Sequence, residues 1–362
     1  MNLYTRLKII KQNWPIGKFY FYHLFRRDWP LYSLIFQVTN QCNSRCLMCF
    51  NWQIINTETD ELSLAEIEKF SKSIGTVSSV ILGGGEPCLR VDLPEICKIL
   101  YQSGVTKKIV LPTNCLLPDL IIDQTKKILE IAPVKLKVVL SLDGIGNVHD
   151  EIRGIQGNFE KFIDTYNRLE EISHTHDLLQ VSVNTTISDK NQDNISAIID
   201  YIDQHLKFKY HTAEVIRGTF DKAKIGPPAL AKYEELIDQT LLKSQTTDRD
   251  PAHKLFYAYY HKLALKMMKR KKQILPCRSS SFFPVIDAWG NVYNCEMLPK
   301  LGNLRGYDYD LKKIWHSPTA QNQRHNIRNK KCWCTHYCYQ SPNILISPWH
   351  LFKAVFGDYF FK

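Results

Sequence analysis

Three cysteines lie within eight residues, directly after a predicted buried strand. They are Cys42, Cys46 and Cys49, in the spacing Cys-x3-Cys-x2-Cys. Three thiolates this close in sequence can converge on one iron–sulfur cubane, and the missing fourth thiolate leaves one iron open to another ligand. Zinc is the alternative, but a structural zinc ion usually takes four protein ligands, so a second cysteine pair would be expected close by. The spacing therefore favours a [4Fe–4S] cluster with a reactive iron.

A glycine-rich turn, Gly83 to Pro87, follows the second predicted strand. Its glycines allow a ligand to approach the backbone closely, and the Glu86 side chain or nearby carbonyl groups can accept hydrogen bonds from a cationic amino group. Taken alone, such a turn is more often only a tight connection between two elements. It carries weight here because other polar motifs follow the later strands.

Polar segments end the third to sixth predicted strands. Leu111–Cys115 ends the third strand, and Ser141–Gly144 ends the fourth and is followed by His149–Gly154. Asn184 and Arg217 stand at the ends of the fifth and sixth. For each of these last two residues, an ordinary polar strand end is an equally good interpretation.

Together these motifs resemble the radical SAM superfamily. The three-cysteine signature, a Gly-Gly-Glu-Pro turn, a Thr-Asn element and a Ser-Leu-Asp-Gly segment followed by His-Asp-x2-Arg-Gly occur in the family's order. The resemblance implies a [4Fe–4S] cluster whose open iron binds S-adenosylmethionine (SAM), one-electron cleavage of SAM to a 5′-deoxyadenosyl radical, and hydrogen abstraction from a substrate. It also implies an external reductant such as flavodoxin or ferredoxin, and an enzyme of oxidoreductase or transferase type.

The resemblance assigns roles to individual residues. Cys42, Cys46 and Cys49 are implied to hold the catalytic cluster. In the same analogy Ser141 and Asp143 lie near the SAM ribose, and Arg153 lies near its carboxylate, for which a guanidinium is the suitable partner. The full set of implied SAM contacts is Met48, Gly84, Gly85, Glu86, Pro87, Asn114, Ser141, Asp143, Arg153 and Asn184.

Two positions depart from the family pattern. Met48 stands where an aromatic residue is common, and a methionine there can cover the cluster or the adenine. Cys115 replaces the glycine of a Thr-Asn-Gly element, so the local backbone need not match the family's. A cysteine near the mouth of the fold also raises the hypothesis that Cys115 donates hydrogen.

Five further cysteines lie towards the C-terminus, and the first two resemble the opening of SPASM and twitch domains, which hold auxiliary iron–sulfur clusters. Cys277-x12-Gly290-x4-Cys295 matches that opening, and Val285–Asn294 within it predicts a hairpin that turns at Gly290. The later spacing Cys-x-Cys-x3-Cys departs from the full SPASM series, and the cysteines are too few for two complete auxiliary clusters. The prediction is one auxiliary [4Fe–4S] cluster, held by Cys277, Cys295, Cys338 and either Cys332 or Cys334.

Three further expectations concern the second cysteine group and the cysteines outside both groups. A zinc site with four thiolates is the alternative to an auxiliary cluster, because thiolate spacing suits either metal. His336 is expected to be an exposed loop residue rather than a ligand. Cys88 and Cys97, outside both groups, are expected to be small buried apolar residues.

Alternating strands and helices must position these residues. A helix opened by the capping box Ser63…Glu66 follows the first strand, and six strand–helix units predict a parallel sheet. The expected fold is α/β, a partial (β/α)6 TIM-like barrel with a small C-terminal metal-cluster domain, and its chemistry is expected at the C-terminal ends of the strands. The predicted strands are 31–39, 77–82, 108–112, 134–142, 179–186 and 212–216, and the helices 63–74, 93–103, 120–131, 158–172 and 194–205.

The sequence divides into five predicted regions. They are a basic and aromatic extension at 1–30, a radical SAM core at 31–220, a helical linker region at 221–275, an auxiliary-cluster domain at 276–340 and an aromatic tail at 341–362. Within the linker region a helix is predicted up to about Lys243, then a polar linker, then a basic amphipathic helix from Ala252 to Lys272.

Composition limits the partners and the compartment. The 362 residues are 44% hydrophobic, enough for a real core, and basic residues outnumber acidic ones 47 to 36, which favours an anionic partner. Clustered cysteines, eleven in all, indicate metal rather than a disulfide framework and hence a reducing cytoplasm. No secretory signal or membrane span is expected. The aromatic, basic ends could rest on a membrane surface, although terminal helices packed on the domain are the simpler interpretation.

Two classes of function remain open on the sequence alone. The first is a radical SAM enzyme acting on an undetermined substrate, with a preference for a carbohydrate, a lipid-linked molecule or a small metabolite, and with a peptide- or protein-modifying maturase as the alternative. The second is a non-catalytic iron–sulfur or zinc protein that binds nucleic acid through the basic stretch Lys262–Lys272. Such a stretch is more often a solvated face, so nucleic acid is not the expected partner.

Overall fold

The structure is a computed structural model that describes residues 30–57, 60–207, 211–218, 220–221, 224–238 and 251–360. The predicted N-terminal extension up to residue 29, with its proposed membrane contact, lies outside the described residues. So does the predicted polar linker at 244–250.

Six parallel strands form the main part of one sheet. They lie side by side in sequence order, and each is paired in parallel with the next. This order confirms the α/β fold with a partial barrel. The strands are β1 Ser33–Thr39, β2 Val77–Gly84, β3 Val105–Thr113, β4 Lys135–Ser141, β5 Leu179–Ile187 and β6 His211–Val215.

Helices connect the successive strands, as parallel pairing requires. The predicted capping box begins the first helix: the Ser63 backbone N–H donates to the Glu66 carboxylate at 2.9 Å, and the Glu66 N–H donates to the Ser63 hydroxyl at 3.4 Å. The helices of the barrel are α1 Leu64–Ile74, α2 Leu93–Gln102, α3 Pro118–Ile131, α4 Asn147–Arg153, α5 Asn158–Ser173 and α6 Ile195–His205.

Alternation along each strand divides its side chains between the apolar core and the barrel interior. In β4, Leu136, Val138 and Leu140 are buried in the core that the helices cover, whereas Lys137 and Val139 lie on the opposite face. Each buried aliphatic side chain stabilises the fold by about 1.5–3 kcal/mol relative to exposure. The interior face is thereby free to carry polar groups for a ligand.

The C-terminal region extends the same sheet. The predicted hairpin is present as β7 Val285–Ile286 and β8 Asn291–Tyr293, which pair antiparallel, and Gly290 in the turn has a positive φ of 83°. A third short strand, β9 Gly302–Asn303, pairs with β8. The sequence did not predict that β7 pairs in parallel with β1, so that the C-terminal region continues the sheet beyond the first strand.

Helices complete the C-terminal half, and the predicted basic helix is one of them. Its face with Tyr260, Ala264 and Met267 is buried in the core, and Lys262, Lys266 and Lys269 are exposed on the outer side. The Tyr257 hydroxyl donates to the Ala213 carbonyl at 2.8 Å and ties this helix to β6. These helices are α7 Leu230–Leu236, α8 Pro251–Arg270, α9 Leu311–Trp315, α10 Pro318–Arg328, α11 Tyr337–Ile346 and α12 Pro348–Phe360.

The aromatic C-terminal segment forms α12, which packs against α8 and α11. Ala354 and Val355 are buried there, while Trp349 and Phe352 are exposed. Among the helices that the structure describes, none combines the length and the hydropathy needed to cross a bilayer.

Candidate functional site

The first cysteine group lies in the loop that follows β1. The thiols of Cys42, Cys46 and Cys49 are all partly exposed. Burial and then the neighbouring Cys46 thiol raise the pKa of Cys49 to about 12, and burial with the same neighbour raises the pKa of Cys42. The three thiols predicted from the sequence are therefore electrostatic neighbours at the C-terminal end of the first strand.

The glycine-rich turn after β2 packs closely against the backbone at the start of this loop. The N–H of Gly85 donates to the Thr39 carbonyl at 2.7 Å. A Cβ atom on Gly84 would lie 2.0 Å from the same carbonyl oxygen, and one on Gly85 would lie 2.0 Å from the Gln41 carbonyl oxygen. Gly83 faces open space, since a Cβ there would meet nothing within 4 Å. The turn therefore needs glycine to hold the cysteine loop, and it leaves room in front of Gly83.

The buried side chain of Glu86 connects two turns by hydrogen bonds. Its carboxylate accepts from the Asn114 N–H at 2.7 Å and from the Cys88 N–H at 3.2 Å, and the residue is only 2% exposed. Burial raises its pKa. Of the two acceptors that the sequence suggested for an amino group, the backbone carbonyls of this turn fit better, because both carboxylate oxygens of Glu86 are already engaged.

The turn after β3 contains Asn114 and Cys115. The Asn114 amide donates to the Asn43 side chain at 2.8 Å and lies 3.9 Å from the Cys42 sulfur. Cys115 has a φ of 67°, so its backbone keeps the left-handed conformation that glycine would adopt. Its thiol is completely buried in the core. The hypothesis that Cys115 donates hydrogen at the mouth is therefore wrong.

Arg153 contacts the cysteine loop with both its side chain and its backbone. Its guanidinium donates to the Cys46 sulfur at 3.3 Å and lies 3.5 Å from the Asp143 carboxylate. Its carbonyl accepts from the Ser44 hydroxyl at 3.0 Å and from the Arg45 N–H at 3.2 Å. Burial opposes the charge, but Cys46 and Asp143 more than offset burial, so the pKa of Arg153 is raised. A permanent cation thus lies against the loop.

The remaining predicted contacts divide into buried and half-buried groups. Asp143 is 1% exposed, and besides its contact with Arg153 it accepts from the Thr186 N–H at 2.7 Å, so it positions the guanidinium and joins β4 to β5. Ser141 and Asn184 are half-buried neighbours in register on those two strands. Met48 is buried in the core cluster.

His149 connects three of these turns, a role that its place in the sequence motif does not reveal. Its Nδ1 accepts from the Asp143 N–H at 3.1 Å, and its Nε2 is 3.1 Å from the Asn158 side-chain oxygen. Asn158 in turn donates to the Asn114 carbonyl at 2.9 Å. His149 is completely buried, and burial, aided by the charge of Arg153, lowers its pKa to about 3. The neutral ring is therefore a structural link behind the site.

This burial predicts an acid-sensitive fold. Because His149 is neutral when folded but protonates near pH 6.5 when unfolded, its contribution to stability is complete above about pH 6.5 and is lost as the pH falls towards 3. When the pH falls from 7.5 to 5.5, protonation of His149 in the unfolded chain should lower the free energy of unfolding by about 1.4 kcal/mol. Urea denaturation of wild type and His149→Gln at both pH values checks this, and the variant should lose that part of the pH dependence. Replacing the exposed His174 by glutamine is the control, and this change should leave the pH dependence of the free energy of unfolding as it is in wild type.

The second cysteine group lies in the C-terminal region, and its thiols are also partly exposed. Burial and then Cys277 raise the pKa of Cys334 to about 11. Burial and then Cys334 also raise the pKa of Cys295 and the pKa of Cys332. Cys338 has different neighbours: after burial, the charges that act on it most are Glu214 and Arg217. Within the described residues, no three His, Cys, Asp or Glu side chains are arranged around a single metal-ion position.

Arg217 lies between the two cysteine groups. Its guanidinium is 3.5 Å from the Glu214 carboxylate and 3.3 Å from the Glu296 carboxylate, and it lies over the Phe50 ring at 4.9 Å from the ring centroid. Phe50 directly follows Cys49, and Glu296 directly follows Cys295. Arg217, which on the sequence alone could equally be an ordinary polar strand end, therefore contacts a residue next to a cysteine of each group.

His336 differs from its prediction as an exposed loop residue. It is 1% exposed, and its Nδ1 is 3.6 Å from a Glu296 carboxylate oxygen. In the described part of the chain neither ring nitrogen has a hydrogen-bond partner. The prediction was wrong because the start of α11 folds in against Arg217 and Glu296, a contact that local sequence cannot show.

Comparisons with known proteins agree with this arrangement. The sequence model of the radical SAM superfamily matches residues 36–202, and that of the SPASM iron–sulfur cluster-binding domain matches residues 277–339. A Methanosarcina barkeri protein named AdoMet-dependent heme synthase is 24% identical over 298 residues, 78% of this chain and 81% of that protein. Another from the same organism, named Fe-coproporphyrin III synthase, is 28% identical over 173 residues, 47% of this chain and 41% of that protein. The structure of Streptococcus suis SuiB bound to S-adenosylmethionine shares the fold, with a TM-score of 0.59 and 18% identity over 81% of this chain and 68% of SuiB.

These matches decide between the two classes of function. Radical SAM domains bind a [4Fe–4S] cluster and SAM, SPASM domains bind auxiliary iron–sulfur clusters, and enzymes of this kind use a reductant and a substrate. The interpretation as a non-catalytic nucleic-acid-binding protein is therefore set aside. With the two domain models matched in the order of the motifs, the chain belongs to the radical SAM superfamily and is an enzyme with a SPASM domain.

Proposed function

We propose that Cys42, Cys46 and Cys49 hold the [4Fe–4S] cluster at which this enzyme cleaves SAM. The observation that carries the proposal is the contact of the Arg153 guanidinium with the Cys46 sulfur at 3.3 Å, within a loop whose three thiols are electrostatic neighbours. Soft thiolate donors, three rather than four, suit an iron–sulfur cluster with one open iron. The open space in front of Gly83 gives a ligand room beside them.

In this proposal, the chain's own residues bind and orient SAM. When bound, the cluster and SAM supply a one-electron cleavage that yields a 5′-deoxyadenosyl radical. Arg153 offers a fixed cation for a carboxylate, and the carbonyls of the glycine turn offer acceptors for an amino group. Asp143 and His149 hold Arg153 and the adjoining turns in place. Ser141 and Asn184, half-buried on the interior face, are the proposed contacts for the SAM ribose or nearby atoms.

We infer a polar substrate bound inside the barrel. Strand alternation puts Gln180, Ser182, Asn184 and Thr186 of β5 on one face with Lys137 of β4, so the interior offers amide, hydroxyl and ammonium groups. Such a lining supports a carbohydrate, a lipid-linked molecule or a small anionic metabolite over an apolar substrate. A tetrapyrrole carboxylate is the second candidate, because a relative named as a heme synthase is matched along most of its length.

Reductive cleavage of SAM tests the proposal directly. Wild-type protein, reconstituted with iron and sulfide without oxygen and reduced with dithionite, is expected to convert SAM to 5′-deoxyadenosine and methionine in equal amounts. Reduced flavodoxin or ferredoxin should replace dithionite, since a protein of that kind is the proposed physiological reductant. Omitting the reductant is the control. A fully reduced, cluster-loaded protein that makes no 5′-deoxyadenosine would contradict the proposal.

A further inference from the structure

We propose that Cys338 is not a cluster ligand but a free thiol that faces the substrate site. The auxiliary cluster is then held by the other C-terminal cysteines, Cys277, Cys295, Cys332 and Cys334. The inference rests on the proposed function, and it changes the ligand set that the sequence predicted, in which Cys338 was a ligand and one of Cys332 or Cys334 was spare.

One face of α11 meets the other cysteines. Gln340 on this helix donates to the Cys334 carbonyl at 2.9 Å and lies 3.6 Å from the Cys334 sulfur. Asn343, on the same face, accepts from the Arg278 N–H at 2.8 Å, next to Cys277. Since an α-helix turns by about 100° per residue, Cys338 lies roughly 160° around the helix from Gln340. Its thiol is therefore on the opposite side of α11 from the Cys334 contact.

The neighbours of Cys338 on α11 fix what it faces. Tyr337 packs against α8, with its ring centroid 4.9 Å from that of Tyr260. Tyr339 is buried in a separate apolar cluster with Ile35 of β1. Between these two directions lies the side of α11 that carries Cys338. Arg217 pairs with Glu214 and Glu296, and after burial, which raises the pKa of Cys338, the charges that act on its thiol most are Glu214 and then Arg217.

Unsatisfied polar atoms at this place indicate a ligand. Glu214 is 8% exposed, and within the described residues its Oε2 has no hydrogen-bond partner. The buried ring of His336, near Glu296, also lacks hydrogen bonds there. Buried polar atoms are nearly always paired, so the unpaired carboxylate oxygen of Glu214 is a place where a hydrogen-bond donor of a ligand can bind. A hydroxyl, amide or ammonium group of the substrate has that chemistry.

Alkylation of the cluster-loaded, full-length protein tests the assignment. Iodoacetamide applied in excess without oxygen at about pH 9 should modify Cys338 slowly, because burial raises its pKa to about 12 and leaves little thiolate. Iron protects the ligand thiolates, and complete burial protects Cys88, Cys97 and Cys115. Peptide mass spectrometry locates the modification. If Cys338 is protected in the cluster-loaded protein but is modified once a chelator has removed the iron, as the ligand thiolates are, the inference is overturned. Modification of the C-terminal and loop cysteines alike would instead show that no clusters had formed, and the proposed function would fail along with the inference.

Iron content provides an independent readout. In a background with Cys42, Cys46 and Cys49 all replaced by alanine, the iron that remains belongs to the auxiliary cluster. Cys338→Ser should keep that iron, whereas Cys334→Ser should lose at least half of it. An equal loss of iron from both variants would make Cys338 a ligand and would sink the inference, while the proposed cleavage of SAM would stand.

Discussion

Replacing Cys46 by alanine is expected to abolish reductive SAM cleavage while leaving the fold and the auxiliary iron in place. The variant removes one of three thiolates, and with it the partner of the Arg153 guanidinium at 3.3 Å and of the Ser44 hydroxyl at 3.0 Å. Two remaining thiolates do not hold a cubane with one open iron. Iron should fall by about half, from roughly eight to roughly four atoms per chain, because the C-terminal cysteines are untouched.

Iron analysis and a 5′-deoxyadenosine assay on the same preparation check this expectation. Cys97→Ala is the matched control, since Cys97 is completely buried in the core, away from both cysteine groups, and should keep all the iron and the activity. Cleavage by Cys46→Ala at a rate near that of wild type would show that the three-cysteine loop is not the reaction site.

Arg153→Leu is the second change with a large expected effect. It leaves the buried carboxylate of Asp143 without its cation, and breaking a buried pair in this way costs about 3–5 kcal/mol. It also removes the proposed partner of the SAM carboxylate. A charge-assisted hydrogen bond contributes about 1.5–3 kcal/mol, so SAM affinity should fall roughly 10- to 150-fold.

Equilibrium unfolding and SAM binding measure the two effects separately. The double variant with Asp143→Asn should recover part of the lost stability, because the unpaired charge is gone, but none of the SAM affinity. Arg168→Leu is the control: Arg168 pairs with the exposed Asp119 at 2.7 Å on the surface, where an ion pair contributes little. If Arg153→Leu binds SAM as well as wild type does, the role proposed for Arg153 is wrong.

The local signals in the sequence predicted the barrel well. Alternating apolar strands and amphipathic helices predicted each of the six parallel strands to within three residues at either end, and the Ser63…Glu66 capping box predicted the start of α1. These features depend on neighbours in the chain, so a single sequence contains them. Helix α4 was missed as an element of its own because its seven residues are too few to show a period.

Contacts between distant segments could not be predicted in this way. The pairing of β7 with β1 joins residues some 250 positions apart, and β7 has only two residues. The position of Arg217 between Glu214 and Glu296, and the burial of His336, likewise depend on how the C-terminal region packs on the barrel. Residue types and spacing placed the cysteines, but only the fold shows which charges face them.

The parallel ladder between β7 and β1 has a consequence for electron transfer. The loop with Cys42 to Cys49 begins where β1 ends, and Cys295 follows the hairpin that begins at β7, so backbone hydrogen bonds connect the supports of these cysteines. Two redox centres built on such a frame would be expected to keep a constant tunnelling length throughout a catalytic cycle.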